Sequence, residues 1–146
     1  MPSWRDAASQ QARDDLDGLL DPALGFAQHQ LDKHGEFYPY SVVVDCVGQQ
    51  RMVAADTGEE RPSSADLIAA LISALSEQRH GLRAIAIVAD VRLPEMGGEA
   101  IRVTLEHNEQ IALSVLLPYR RRRLGRGFDY GDLQAGAAPA FIWPAD

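Results

Sequence analysis

Two successive stretches of this chain place all their large apolar side chains but Leu116 at odd positions: Ile101, Val103 and Leu105 in the first, and Ile111, Leu113, Val115 and Leu117 in the second. His107 closes the first stretch. Alternation of this kind marks strands with one apolar face, because successive side chains on a strand point to opposite sides. If the two strands pair antiparallel and both apolar sets face one core, the numbers of opposed residues must sum to an even value. A two-residue turn at Asn108-Glu109 makes that sum odd. A three-residue loop, Asn108-Glu109-Gln110, makes it even and pairs Leu105 with Leu113 and Val103 with Val115. The pattern therefore predicts that loop, or a bulge with the same effect. A sheet with one apolar face also demands a cover, and the rest of the chain must supply it.

Two helical regions can do so. Trp4, Ala8, Ala12, Leu16, Leu19 and Leu20 recur at helical steps over residues 4–20. Asp21-Pro22 looks like a restart, and Leu24, Ala27 and Leu31 continue the stripe to a stop at Gly35. The N-terminal quarter thus reads as one kinked helix or two in sequence. Ser63, with Asp66 three residues on, caps a second helix whose run Leu67-Ile68-Ala69-Ala70-Leu71-Ile72 extends to about His80 and ends at Gly81. Between these helices, residues 41–47 and 51–55 form a hairpin around Gly48-Gln49. Residues 83–89 are apolar on both faces and predict a strand covered on both sides. The expected fold is α+β: a single domain over residues 1–146 with a mainly antiparallel sheet of about five strands, in the order α-β-β-α-β-β-β. Residues 1–35 are the helical segment and 41–118 the sheet and helix core. Residues 119–146 form a basic, Gly/Ala-rich C-terminal segment whose Phe141-Ile142-Trp143-Pro144 tucks against the body.

Length and charge narrow the function classes. A chain of 146 residues buries enough surface to fold without metal or disulfide. One cysteine, Cys46, excludes an intramolecular disulfide and predicts a buried thiol in a reducing compartment, with the cytoplasm as the default location. No apolar run suits a membrane span, and the N-terminus lacks a signal-peptide layout. The net charge of −7 is unevenly spread: the last 28 residues carry +2 and the rest −9. That balance disfavours a nucleic-acid partner.

The element order is similar to that of profilin-like and roadblock-type α/β domains. The segments Phe37-Tyr38-Pro39-Tyr40, Ala89-Asp90-Val91-Arg92 and Leu117-Pro118-Tyr119-Arg120 resemble those of an uncharacterised bacterial protein family of unknown function. Neither resemblance implies an activity. Pro62-Ser63-Ser64-Ala65-Asp66-Leu67 resembles the Ser-x-x-Asp part of JAMM-type metalloproteases. There the zinc-binding His-x-His pair would fall on Val53 and Ala55, which cannot ligate metal.

Other chemistry is sparse. His29, His34, His80 and His107 lack a two-on-a-face spacing, so no metal site is expected. Cys46 has no activating neighbour in sequence and is not read as a nucleophile. Gly97-Gly98 and Gly125-Arg126-Gly127 are turns rather than phosphate loops, and no cofactor motif occurs. No catalytic residue is assigned. Asp45 and Asp90 interrupt apolar strands and are candidate buried acids, which need a partner such as Arg51, Arg92 or Arg102, or a function. Tyr119 and the run Arg120, Arg121, Arg122 and Arg123, with Arg126, Phe128 and Tyr130, form the candidate surface for an anionic partner. The bland account is a solvated strand end whose charges pair with the acidic body. These features predict a non-enzymatic protein-interaction module that binds a protein partner or self-associates, including as a homodimer. Alternatives are an immunity-type inhibitor of a basic toxin, and a small-molecule sensor or unrecognised enzyme with Asp45, Asp90 and the arginines around a pocket.

Overall fold

The computed structural model describes residues 4–95 and 97–144. In chain order these form α1 (Trp4–Ala7), α2 (Gln10–His34), β1 (Tyr40–Asp45), β2 (Gln50–Val53), α3 (Ser64–Gln78), β3 (Leu82–Arg92), β4 (Glu99–His107), β5 (Ile111–Arg121), β6 (Phe128–Tyr130) and β7 (Gln134–Ala137). The strands make one antiparallel sheet in the order β2-β1-β3-β4-β5-β6, with β7 also paired to β5. This is a single α+β domain, and α3 carries the chain over β1 from β2 to β3.

The register of β4 and β5 follows from side-chain parity. Leu105 opposes Leu113, Val103 opposes Val115 and His107 opposes Ile111, across the loop 108–110. Closing so tight a loop puts Gln110 in the left-handed region, at φ 64°, a conformation non-glycine residues seldom adopt. The odd-numbered side chains of both strands share one core with Leu16, Leu19, Ala23, Ala27 and Leu31 of α2. On the opposite face Leu71 and Leu75 of α3 meet Val43, Ile85 and Ile87. β3 lies between the two helices, which explains a strand apolar on both faces.

The structure corrects the N-terminal reading. The helix does not restart at Asp21-Pro22. The chain breaks earlier, where the Ser9 hydroxyl caps α2 by accepting from the Ala12 N–H at 3.0 Å, and α2 then runs through Pro22. A proline inside a helix leaves the carbonyl four residues back without its donor. That carbonyl belongs to Gly18, and the Gln50 amide of β2 donates to it at 2.9 Å. The helix therefore survives its proline with tertiary help. At the far end Gly35 takes φ 77° and closes the helix onto Leu31.

Two polar clusters fasten the covers. Asp15 of α2 accepts from Arg83 Nε and Nη2 at 3.1 and 2.7 Å and lies 2.9 Å from His107 Nε2. His107 Nδ1 accepts from the Glu109 N–H at 3.1 Å, so the ring's proton sits on Nε2 and points at Asp15. His107 is fully buried. On the other face Glu106, 1% exposed, accepts from the backbone N–H groups of Phe141, Ile142 and Trp143 at 2.8, 2.8 and 2.5 Å. The expected tucking of the C-terminal segment is met by Ile142, which is fully buried, and by half-buried Trp143, whereas Phe141 is 47% exposed. The same segment supplies β6 and β7, two strands beyond the expected five. Cys46 is another correction: it lies in the β1–β2 turn, exposed, rather than buried in a strand.

Candidate functional site

A groove of about 820 Å³ opens between the C-terminal half of α2, the segment 36–39, the loop 54–62 and the start of α3. Its size falls in the range of ligand sites. The chain must turn from α2 into β1 here, and it does so through Glu36-Phe37-Tyr38-Pro39. Phe26 and Phe37 stand edge-on to Tyr40, with ring centroids 4.9 and 5.9 Å away. Tyr40 is buried and donates its hydroxyl to the Ala23 carbonyl, fixing the aromatic wall to α2. Burial holds the Tyr40 hydroxyl above its usual pKa, so it stays a proton donor. Tyr38 is 59% exposed at the rim.

The charged lining is of one sign. Among the described residues, Glu36, Asp56, Glu59 and Asp90 contribute carboxylates, His34 is the one basic side chain, and neither lysine nor arginine lines the groove. Asp56 is held by the Gly58 N–H at 2.8 Å. Asp90 enters from the end of β3, where the Tyr119 hydroxyl lies 2.6 Å from its carboxylate and 2.8 Å from that of Glu99. One phenol proton cannot serve both carboxylates at once, so the contact brings two acids close together around a single donor. Asp90 is pushed above the usual carboxylate range, chiefly by burial, with the charges of Glu99 and Glu36 adding to it and the Tyr119 hydrogen bond opposing it. The Tyr119 hydroxyl is also driven upward, by burial first and then by its two acidic partners.

A carboxyl group whose pKa is higher in the folded than in the unfolded chain makes the native state bind more protons in between. Stability then falls as pH rises through that interval. Asp90→Asn keeps an acceptor for Tyr119 and removes the charge. It is expected to raise the melting temperature at pH 7, and the gain should vanish below about pH 4, the unperturbed aspartate range. Thermal unfolding followed by circular dichroism at the two pH values checks this.

The remaining candidates are dispersed. Asp45 is not a buried acid seeking an arginine: its Oδ1 accepts from the Val47 and Gln49 N–H groups, both at 3.0 Å, and shapes the β1–β2 turn. Asp45 and Asp90 sit at opposite ends of the β1–β3 pair, so they do not converge with the arginines on one pocket. None of the arginines proposed as partners of Asp90 bonds to it. Arg102 faces the other side of the sheet by parity, and Arg51 donates to Gln78 at 3.1 Å.

Tyr119 and Phe128 are 6% and 8% exposed, and Tyr130 is half-buried, so these rings belong to the core rather than to a stacking surface. They pack on one another, with Tyr119 5.5 Å from Phe128 and 6.3 Å from Tyr130. Alternation along β5 decides what each arginine does. Arg121 lies over the Phe128 ring at 4.9 Å and near Gly35, where a cation suits the helix end. Arg122 pairs at 3.0 Å with Asp129 of its own hairpin. The side chains of Arg120, Arg123 and Arg126 are exposed and have no ion pair among the described residues, so the run does not neutralise the acidic body. The tip between them presents Leu124, 90% exposed.

Sequence reasoning missed Glu36, Phe37, Tyr38 and Glu99. The available signal was the cluster Phe37-Tyr38-Pro39-Tyr40: three rings in four residues beside an acid, at a turn into a strand, cannot all enter one core. Among the described residues no group of three or more His, Cys, Asp or Glu side chains could hold a metal ion, and no helix is long and apolar enough to cross a membrane. Compared with protein-family models, curated proteins and solved structures, the chain matches none of them.

Proposed function

We propose that this protein is a non-enzymatic interaction module that receives a cationic side chain of a basic protein partner in the groove between α2 and α3. The observation that carries this reading is the coincidence of aromatic walls with four carboxylates and no lysine or arginine in one groove. Aromatic faces attract cations, and carboxylates fix them by charge-assisted hydrogen bonds. The overall charge of −7 extends the attraction beyond the groove and steers a basic partner toward it. A basic toxin, which this protein would mask as an immunity-type inhibitor, is one partner class with this chemistry. The exposed Cys46 thiol supports a reducing compartment, the cytoplasm.

The arginine hairpin supports a second reading, self-association. Arg123 and Arg126 flank exposed Leu124 and could enter the acidic groove of another copy. Both readings are tested together. Titration of the intact protein with capped Gly-Arg-Gly, followed by NMR, is expected to shift Phe37, Tyr38 and Asp90, while capped Gly-Glu-Gly leaves them unmoved. The double variant Glu36→Gln/Asp90→Asn should lose the response. Equal shifts with both peptides, or none at millimolar concentration, would overturn the cation reading. Sedimentation velocity at low and high salt decides self-association. A monomer at every concentration and salt removes it, and a dimer lost in Arg123→Glu/Arg126→Glu supports it.

A further inference from the structure

The other side of the sheet carries a second, separate cleft of about 310 Å³. Its floor is Arg102 and Thr104 of β4 with Ser114 of β5, and Thr104 stands directly opposite Ser114. Ile68 and Ile72 of α3 form one wall, and Phe141 in the C-terminal segment forms the other. We propose that this cleft binds an amphipathic carboxylate, its head on Arg102 and the two hydroxyls and its short hydrocarbon tail between the isoleucines and Phe141.

Arg102 carries the inference. Its Nε is buried with no hydrogen-bond partner, and no ion pair involves its guanidinium among the described residues. A chain with 21 acidic and 14 basic residues has no shortage of carboxylates, so an arginine left single in a half-buried position is an open valence. Glu106 lies on the same face of β4, but it is fully engaged by three backbone N–H groups. A buried donor without an acceptor is costly, and the planar guanidinium fork matches a carboxylate. One cation with two hydroxyls suits a single negative charge rather than a phosphate dianion in a protein of this net charge. The apolar walls call for a ligand with a tail.

The test is calorimetric titration of the full chain with octanoate, with 1-octanol and inorganic phosphate as the comparison arms. Octanoate is expected to bind at least about tenfold more tightly than octanol, the worth of a charge-assisted hydrogen bond, and phosphate not at all. Arg102→Met keeps the apolar stem and should bring octanoate down to the octanol level without altering octanol binding. Ser114→Ala should weaken octanoate more mildly. The groove variant Glu36→Gln/Asp90→Asn should bind octanoate normally, so the two sites stand or fall separately. Failure of octanoate to bind at millimolar concentration, undiminished binding by Arg102→Met, or phosphate binding as tight as octanoate would overturn the proposal.

Discussion

Asp15→Ala is expected to lower the unfolding free energy by about 3–5 kcal/mol, the scale for removing one partner of a buried ion pair. Asp15 is 8% exposed and is the acceptor for both Arg83 and fully buried His107. Its loss strands an arginine under α2 and leaves the imidazole N–H facing no acceptor. For a chain of this size the melting temperature should fall by roughly 10–15 °C. Urea unfolding monitored by circular dichroism measures the loss. Asp15→Leu/His107→Leu removes the orphaned imidazole along with the acid and should recover part of it. A loss below about 1 kcal/mol would place Asp15 with solvent-screened surface pairs and refute its role as the pin of α2.

Glu106→Ala is expected to free the C-terminal segment at a cost of about 3 kcal/mol, given three backbone donors left without their charged acceptor. The signature is local as well as global. Trp143 should shift its emission to the red, and a protease should cut near residues 138–143 well before the sheet unfolds. Glu106→Gln distinguishes the charge from the shape. An amide offers one acceptor oxygen where the carboxylate offers two, so Gln should restore the packing of Ile142 only partly. Unchanged Trp143 emission and proteolysis in both variants would mean that Ile142 alone holds the segment.

The central sheet was legible because its constraint is arithmetic. Side chains of period two, one buried face and a short loop leave a single parity for Leu105 and Leu113, whatever the surroundings. Ser63 and Asp66 likewise specify a helix start through contacts within four residues. Pro22 misled because local chemistry argued for a break, while the donor that rescues the helix, Gln50, lies 32 residues from the Gly18 carbonyl that it satisfies. Asp45 misled in the opposite direction, since a partner arginine was sought at a distance and the turn beside it supplied two N–H groups. Tyr119, Phe128 and Tyr130 looked free beside a charge run, because nothing in their spacing reveals that β6 folds back along β5. The acidic groove was illegible for the same reason: Glu36, Asp56 and Asp90 come from three segments that only the topology brings together.

Pro118 carries a consequence for how the sheet resists pairing with other chains. It sits within β5 opposite Ala100, and its carbonyl accepts from the Gly131 N–H on the outer side. The missing N–H therefore falls on that outer side, between the stretches of β5 covered by β6 and by β7, and leaves the ladder to β4 intact. Only the short strands β6 and β7 cover this side of β5. Whenever they detach, the outer edge of β5 becomes an open template for a neighbouring chain. A proline in that edge takes away one of the donors such a neighbour would need. The residue thus makes the uncovered edge a poorer template for aggregation.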